Sequence, residues 1–397
     1  MITLAIETSC DETAVCLLET RRQTRQSANA GSSDTDIFEY RILANLIHSQ
    51  ADLHAKYGGV FPMMAKREHE KNLPILLEKI PAGKIDRIAV TRGPGLEPAL
   101  WAGIDFARQL GEKLSVPVVG VNHMEGHVLG SLLTSSSSSS TSTSSNEETF
   151  TLLRTLPTPA LALLISGGHT ELVVVKNTDE KKNAYEVIGR TKDDAVGEAY
   201  DKVARLLGLP YPGGPRVGAL AEQARKENIP SALRLPRPML HSKDLDFSFS
   251  GLKTAVLYEI RKTDENASMK PVKAGATSGA ANVHDHGLTE EKKKEIAREF
   301  EDAVTEVLVK KTAQAIETYG VQALIVGGGV IANIHIRAAL QKLAEENSIP
   351  LYFPPEGVSG DNALMIALAG ACADAPTSAN DHTSANGPLK ADGNLSL

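Results

Sequence analysis

The chain opens on the apolar run Ile2-Thr3-Leu4-Ala5-Ile6. The polar stretch Glu7-Thr8-Ser9-Cys10-Asp11-Glu12-Thr13 breaks it, and apolar residues then resume. Such a pattern predicts strand, tight turn, strand. A third strand is expected over 41–48, and a helix over the periodic segment MMAKREHEKNLPILLEKI that follows Gly58-Gly59. Next come a strand at 86–91 closed by Arg92-Gly93-Pro94-Gly95, a helix over 99–113 and a strand at 117–121. The pattern then repeats. An apolar strand at 160–165 runs into Ser166-Gly167-Gly168-His169-Thr170 and a second strand at 171–176. A helix ends near 207, the rigid turn Pro212-Gly213-Gly214-Pro215 opens a helix to 226, and Thr289-Glu290-Glu291 caps a long helix over 292–319. A strand at 323–326 ends in Gly327-Gly328-Gly329-Val330-Ile331-Ala332-Asn333; a helix over 336–346, a strand at 351–353 and a helix over 361–373 complete the series. Strands alternating with helices in this way imply α/β layers.

Three segments fall outside the pattern. Residues 134–148 are almost pure Ser and Thr, 264–288 are polar and small, and the composition beyond 374 is Ser, Asn, Asp and Gly. None holds enough apolar area to offset the entropy of ordering it, so two surface insertions and a frayed tail are expected.

Length and charge narrow the picture. At 397 residues the chain suggests two or three domains, and 42% hydrophobic with 23% charged residues is the balance of a globular protein. No apolar run is long enough to span a bilayer, and the first residues lack the order of a secretory signal. The three cysteines, Cys10, Cys16 and Cys372, have no disulfide or zinc-knuckle spacing, which fits a reducing, cytoplasmic setting. A net charge of −7 argues against broad non-specific nucleic-acid binding, so any RNA contact must be local or shared with a partner.

Candidate chemistry centres on Asn122-His123-Met124-Glu125-Gly126-His127. Histidines four apart on a helix share one face, and two imidazoles so placed can close on one cation. The pair needs an oxygen ligand from elsewhere. Asp361 is the candidate, in Val358-Ser359-Gly360-Asp361-Asn362, where a glycine turn exposes a carboxylate at a helix start. The alternative is that both histidines are surface or capping residues. The 7–13 turn can hold a metal–phosphate group or be a solvated hairpin tip. The two strand–turn–strand units can grip a phosphate-bearing ligand through backbone N–H groups and hydroxyls. The glycine run before Asn333 can present helix N–H groups to a nucleotide or serve close packing. Arg234, Arg237, His241 and Lys243 beside Phe247 and Phe249 can hold a phosphate and stack a base, or the phenylalanines can anchor the loop to the core.

The motifs together are far more specific than any alone. IETSCDET, RGPGLEPAL, NHMEGH, LISGGHTEL, DDAVGEAYDK, PGGP, FSFSGLKT, GGGVIAN and SGDNALM occur in order across most of the chain. The sequence resembles the tRNA N6-adenosine threonylcarbamoyltransferases, the TsaD family, once described as O-sialoglycoprotein endopeptidases. It is more similar to the bacterial branch than to the archaeal or eukaryotic cytosolic one. It departs after Asn333, where the family usually has an arginine soon after.

The resemblance implies an actin-like (ASKHA) fold, two α/β subdomains around a central cleft, each on a five-stranded mixed sheet. Residues 1–130 with 357–373 would form one lobe and 159–356 the other, with 134–158 and 264–288 as insertions and 374–397 as a flexible tail. It also implies transfer of a threonylcarbamoyl group from threonylcarbamoyl-AMP to N6 of adenosine 37 in tRNAs reading ANN codons, with release of AMP. His123, His127 and Asp361 would hold one divalent metal per subunit, Fe(II) favoured over Zn(II). Leu164, Ile165, Ser166, Gly167 and Gly168 would wrap the phosphate side of the donor, Asp201 and Gly214 the ribose, and Asn333 the adenine side. Asp11 or Glu12 would orient the amine or take its proton. The 234–253 segment and Lys66-Arg67 are the candidate RNA contacts. Implied partners are tRNA with either a paralogous protein and a small ATPase, or a second copy of the chain.

Three other readings compete. A metal-dependent endopeptidase of the zincin kind needs a glutamate immediately after the first histidine, whereas Glu125 comes two residues after His123. An actin-like small-molecule kinase has no use for the histidine pair. A non-catalytic scaffold would bind nucleotide and partners without modifying tRNA.

Overall fold

The computed structural model describes residues 1–25, 35–135, 149–152, 156–177, 183–265, 288–373, 383–384 and 387–397. Most of the Ser-rich 134–148 tract and of the 264–288 segment lies outside these residues. The chain forms two compact units. The first is 1–50, 60–157 and 352–397, and the second 51–59 and 158–351.

In the first unit β1 (Ile2–Glu7) pairs antiparallel with β2 (Glu12–Arg25), and β2 with β3 (Thr35–Ser49). On its other side β1 runs parallel to β4 (Arg87–Gly93), which runs parallel to β5 (Val118–Asn122). The second unit repeats this order. β8 (Ala160–Ile165), β9 (Thr170–Asn177) and β10 (Asn183–Arg190) form the antiparallel part, and β11 (Ala323–Gly327) lies parallel to β8, followed by β12 (Leu351–Tyr352). Two α/β units on mixed sheets agree with the actin-like expectation. The strand count agrees only in the second unit. The first sheet has nine strands among the described residues. β6 (Leu133–Ser135) and β7 (Thr149–Leu152) extend the β3 edge, and β13 (Thr383–Ser384) with β14 (Gly387–Pro388) extends the β5 edge. Both additions come from segments whose composition hid their pairing.

Strand parity decides what the first sheet presents to each side. Leu4, Ile6, Ile88, Val90 and Val118 face one way, onto α2 (Pro62–Glu78) and α3 (Glu97–Leu114). Ala5, Ala14, Cys16, Ala89, Val119 and Val121 face the other, beneath α10 (Ala363–Cys372). The small side chains on that second face let α10 come close. A β-carbon added at Gly370 would fall 2.3 Å from that of Ala89. Glu7, the last residue of β1, and Thr91, two residues before the end of β4, have the same parity as Ala5 and Ala89. They therefore point to the α10 side.

In the second unit, α5 (Val196–Leu206), α6 (Gly213–Lys226), α7 (Ser250–Glu265), α8 (Glu290–Tyr319) and α9 (Ile334–Glu346) accompany the sheet. β8 is buried along its whole length, as the centre of a sheet covered on both faces should be. The short α1 (Ala51–Ala55) belongs to this unit too. No helix among the described residues is long and apolar enough to cross a membrane.

The last residues do not fray as composition suggested. Leu389 is fully buried against Gly120, Arg108 donates to its carbonyl, and the Asp392 N–H donates to the Arg92 carbonyl at 2.8 Å. One large apolar side chain in a polar tail is enough to seat it. Leu389→Ala is therefore expected to cost about 2 kcal/mol or more, the usual range for a buried leucine. Urea unfolding measures it, and an unchanged midpoint would show that the tail contributes nothing.

Candidate metal centre and ligand turns

The histidine pair lies on a helix, as its spacing predicts. In α4 (His123–Ser131) the Asn122 side chain caps the first turn, accepting from the N–H groups of Met124 at 2.8 Å and Glu125 at 3.3 Å. Gly126, between the two histidines, is where α10 crosses. A β-carbon there would sit 3.2 Å from Met365 Cγ and 3.3 Å from the Met365 carbonyl oxygen. Only glycine permits so close a crossing without displacement. Asn362 caps α10 by accepting from the Met365 N–H at 3.1 Å, and its amide donates to the Val358 and Gly360 carbonyls. Asp361, just before that cap, is thereby aimed at α4. Its Oδ1 is 3.2 Å from His127 Nε2 and 3.4 Å from His123 Nε2. The imidazole rings are edge-to-face with centroids 4.7 Å apart. One ligand atom from each of the three residues lies within 4.8 Å of the others. The surface-histidine alternative fails, since His123 and His127 are both buried.

Beneath this trio sits a residue whose role the sequence alone did not reveal. Glu7 is fully buried, with Oε2 3.1 Å from His123 Nδ1. Thr91 Oγ1 donates to Oε2 at 2.5 Å, and the Ser9 N–H donates to Oε1 at 2.5 Å. The available signal was parity: a carboxylate ending an apolar strand, on the side of Ala5. Burial disfavours a charged imidazole, yet the Glu7 and Asp361 carboxylates outweigh it and hold His123 up to about 10. Burial likewise opposes ionised Asp361, but His123 and His127 keep it well below the usual carboxylate range. Buried Glu7 and the partly exposed Asp361 thus share one positive charge. This is the electrostatic environment of a cation site, and two nitrogens with one oxygen suit a divalent transition metal.

The 8–12 turn is held from behind. His69 Nε2 reaches the Cys10 carbonyl at 3.0 Å, and Nδ1 meets Thr13 Oγ1 at 2.8 Å and Gln50 Nε2 at 3.2 Å. The backbone adds Gln50 N–H to the Asp11 carbonyl at 2.9 Å and Leu96 N–H to the Ser9 carbonyl at 2.8 Å. The 92–95 loop is therefore packing on the turn. Gly95, at φ +155°, has no room for a side chain against Ser9. Burial, then Asp11 and Asp361, push Glu12 up to about 9. Burial and the same carboxylates raise the Cys10 thiol, so it is not a thiolate nucleophile.

In the second unit the expected ligand residues gather near the carboxyl ends of β8 and β11. Leu164 and Ile165 are wholly buried, so only their backbone can serve a ligand. Ser166 Oγ accepts from the His169 N–H at 3.1 Å and closes the turn, while its carbonyl accepts from Gly197 at the start of α5. A β-carbon at Gly167, Gly168 or Gly214 would meet nothing within 4 Å, so these backbones face open space. Asp201 Oδ1 accepts from the Gly213 N–H at 2.7 Å, pinning the start of α6. Asn333 caps α9 through the Ile336 N–H at 3.0 Å, and its amide donates to Glu301 at 2.5 Å. Gly328 packs on Ile165, and Gly218 on Asn333, which ties the pieces together.

Within the basic 234–253 segment Arg237 is committed to the fold. Arg237 is paired with Glu299 and with Glu306, and Arg234 lies 3.5 Å from Glu299. Phe247 and Phe249 are fully buried, so they anchor the segment and are not available to stack a base.

Comparison with known proteins finds relatives along almost the whole chain. The family model described as tRNA N6-adenosine threonylcarbamoyltransferase matches residues 41–368. Relatives of that name from Thermosipho africanus (41% identical over 376 residues, 93% of each chain) and Burkholderia mallei (41% over 377, covering 94% and 92%) are similar along almost the full length. Among solved structures, full-length HypF aligns with TM-score 0.49 and 11% identity over 93% of this chain and 54% of its own. With the family's extent and these two relatives in agreement, the chain belongs to the tRNA N6-adenosine threonylcarbamoyltransferases, the TsaD family.

Proposed function

We propose that the chain transfers the threonylcarbamoyl group from threonylcarbamoyl-AMP to N6 of adenosine 37 in tRNAs reading ANN codons, with release of AMP. The observation that carries this is the His123–His127–Asp361 trio, both histidines buried and its ligand atoms within 4.8 Å, in a chain of this family. In the step, N6 attacks the carbamoyl carbon, a C–N bond forms, the bond to the phosphate oxygen breaks, and one amine proton leaves. The amine lone pair is delocalised into the ring, so alignment and carbonyl polarisation must supply the rate. A divalent metal on the trio, Fe(II) in preference to Zn(II), would polarise the carbamoyl oxygen as a Lewis acid.

The remaining work falls to side chains and backbone. The 164–168 turn offers N–H groups to the donor phosphate, Asp201 and Gly214 border the ribose, and Asn333 shapes the adenine side. Asp11 takes the amine proton. In the metal-free fold burial, then Asp11 and Asp361, push Glu12 up to about 9, and Glu12 is assigned the positioning role. The working protein takes tRNA as substrate and has as partners a paralogous protein with a small ATPase, or a second copy of itself. A cytoplasmic setting is supported by three free cysteines. The endopeptidase alternative is disfavoured. Glu125, two residues beyond His123, lies ~200° round the helix from it, away from the ion that a water-activating base must face.

Purified chain, unmodified tRNA and donor made in situ should yield modified adenosine and AMP together, with partner proteins added where turnover needs them. Chelation, or His127→Ala, should lower single-turnover transfer by on the order of 100-fold or more while metal content falls in parallel. Wild-type rates in metal-free protein would end the proposal. Asp11→Asn should cost about 10²–10⁴ in the same assay, as loss of a general base does. Glu12→Gln should cost far less, and the reverse ranking would exchange their roles. Glu12 also predicts a pH dependence. Its value rises on folding, from 4.5 to about 9, so its contribution to stability is complete below 4.5 and is lost as pH climbs through 9. Metal-free Glu12→Gln should therefore lose less stability than wild type across that window in urea titrations, and parallel curves would refute the assignment.

A further inference from the structure

We infer that Glu7 positions His123 for the cation and, with Thr91, sets the affinity of the centre; this rests on the metal-site reading above. Glu7 does not reach the ligand cluster itself, and its carboxylate lies on the far side of the imidazole from Asp361. Oε2 takes the proton side of His123 Nδ1 at 3.1 Å, while His123 Nε2 is the nitrogen that faces Asp361 at 3.4 Å. An imidazole that donates from Nδ1 keeps its lone pair on Nε2, so Glu7 selects the tautomer whose free nitrogen points at the ion. It also makes that nitrogen a stronger donor, because the carboxylate stabilises positive charge on the ring.

The carboxylate is itself fixed. Thr91 Oγ1 at 2.5 Å holds Oε2, and the Ser9 N–H at 2.5 Å holds Oε1, so neither oxygen can rotate away from the ring. Thr91 lies in β4 and Glu7 ends β1, neighbouring parallel strands whose register pairs Ile6 with Val90 one residue earlier, and Ser9 sits in the turn after β1 that His69 and Gln50 hold. Ser9 Oγ, 3.3 Å from Nδ1, is a second neighbour of the same nitrogen and does not replace the charge. A residue needed only for packing would not require an ionised group at a wholly buried position, where an unpaired carboxylate is costly.

The experiment measures zinc affinity of metal-stripped protein by competition with a chromophoric chelator, and the visible spectrum of the cobalt-substituted form. Glu7→Gln keeps the shape and the acceptor but loses the charge. It should weaken zinc binding about 10- to 100-fold and shift the cobalt bands. Thr91→Val should weaken binding in the same direction by less, and Thr91→Ser should restore it. A merely structural role would lower the unfolding midpoint of the stripped protein and leave zinc affinity and the cobalt spectrum unchanged, and that outcome overturns the inference. If Glu7→Gln does not fold, the Thr91 pair decides: wild-type affinity in Thr91→Val overturns it equally. Wild-type protein that binds no zinc, or binds it as tightly after His127→Ala, would instead overturn the metal centre, and Glu7 with it.

Discussion

Two carboxylates around one imidazole, Glu7 wholly buried and Asp361 partly exposed, are the constraint from which the first unit is best understood. They arrive from opposite ends of the chain, and Glu7 would be strongly disfavoured as a lone anion in the apolar interior. Charge balance requires something positive between them. In the metal-free fold that is the proton His123 retains between the two. The surroundings then read as devices for keeping this arrangement in register. Gly126 sets the approach of α10, Asn122 and Asn362 fix the first turns of α4 and α10, and Thr91 with Ser9 immobilises Glu7. Breaking a buried charge pair by removing one partner is far more damaging than never having built it. The energetic stake is therefore in the set of residues and not in any one bond.

The repeated topology explains why chemistry-bearing turns occur where they do. In each unit the first strand is flanked by an antiparallel neighbour and a parallel one, and the polar turn follows its carboxyl end. Ligand-holding loops collect outside the carboxyl ends of parallel strands, where backbone N–H groups and helix starts converge. The same position is used differently. In the first unit the strand end carries Glu7, and the turn after it carries Asp11 and Glu12. In the second, the turn is glycine-rich, and its open backbone is what it offers.

Much of this was legible from residue order. The apolar runs located β1, β8 and β11, and the spacing of four placed His123 and His127 on one helical face. The turn Ser359-Gly360-Asp361 advertised an exposed carboxylate because glycine there is followed by an N-cap asparagine. What stayed hidden shares a physical cause: each feature depends on contacts distant in sequence. β13 and β14 each span two residues within a polar segment, so no periodicity marks them. Leu389 is a single apolar residue whose burial depends on Gly120. The 234–253 segment read as basic, but Glu299 and Glu306 of α8 consume the charge of Arg237, and nothing local foretells that. Glu7 was visible as a polar residue in a turn, and only the pairing of β1 with β4 shows which way it points.

Asn333 shows how a motif residue can matter without offering a free side chain. Its carbonyl oxygen accepts from the Ile336 N–H and its amide donates to Glu301, which is itself buried and paired with Arg225. Arg225 also pairs with Asp302, and Asp302 with His335 in the first turn of α9. The cap and Glu301 use one lone pair and one N–H of the amide and together fix its orientation, so any ligand meets it in the pose those two bonds set. Its place at the end of the glycine run therefore points to a role in shape. It fixes where α9 begins and lies against Gly218 of α6, so two helices of the second unit are held at one residue.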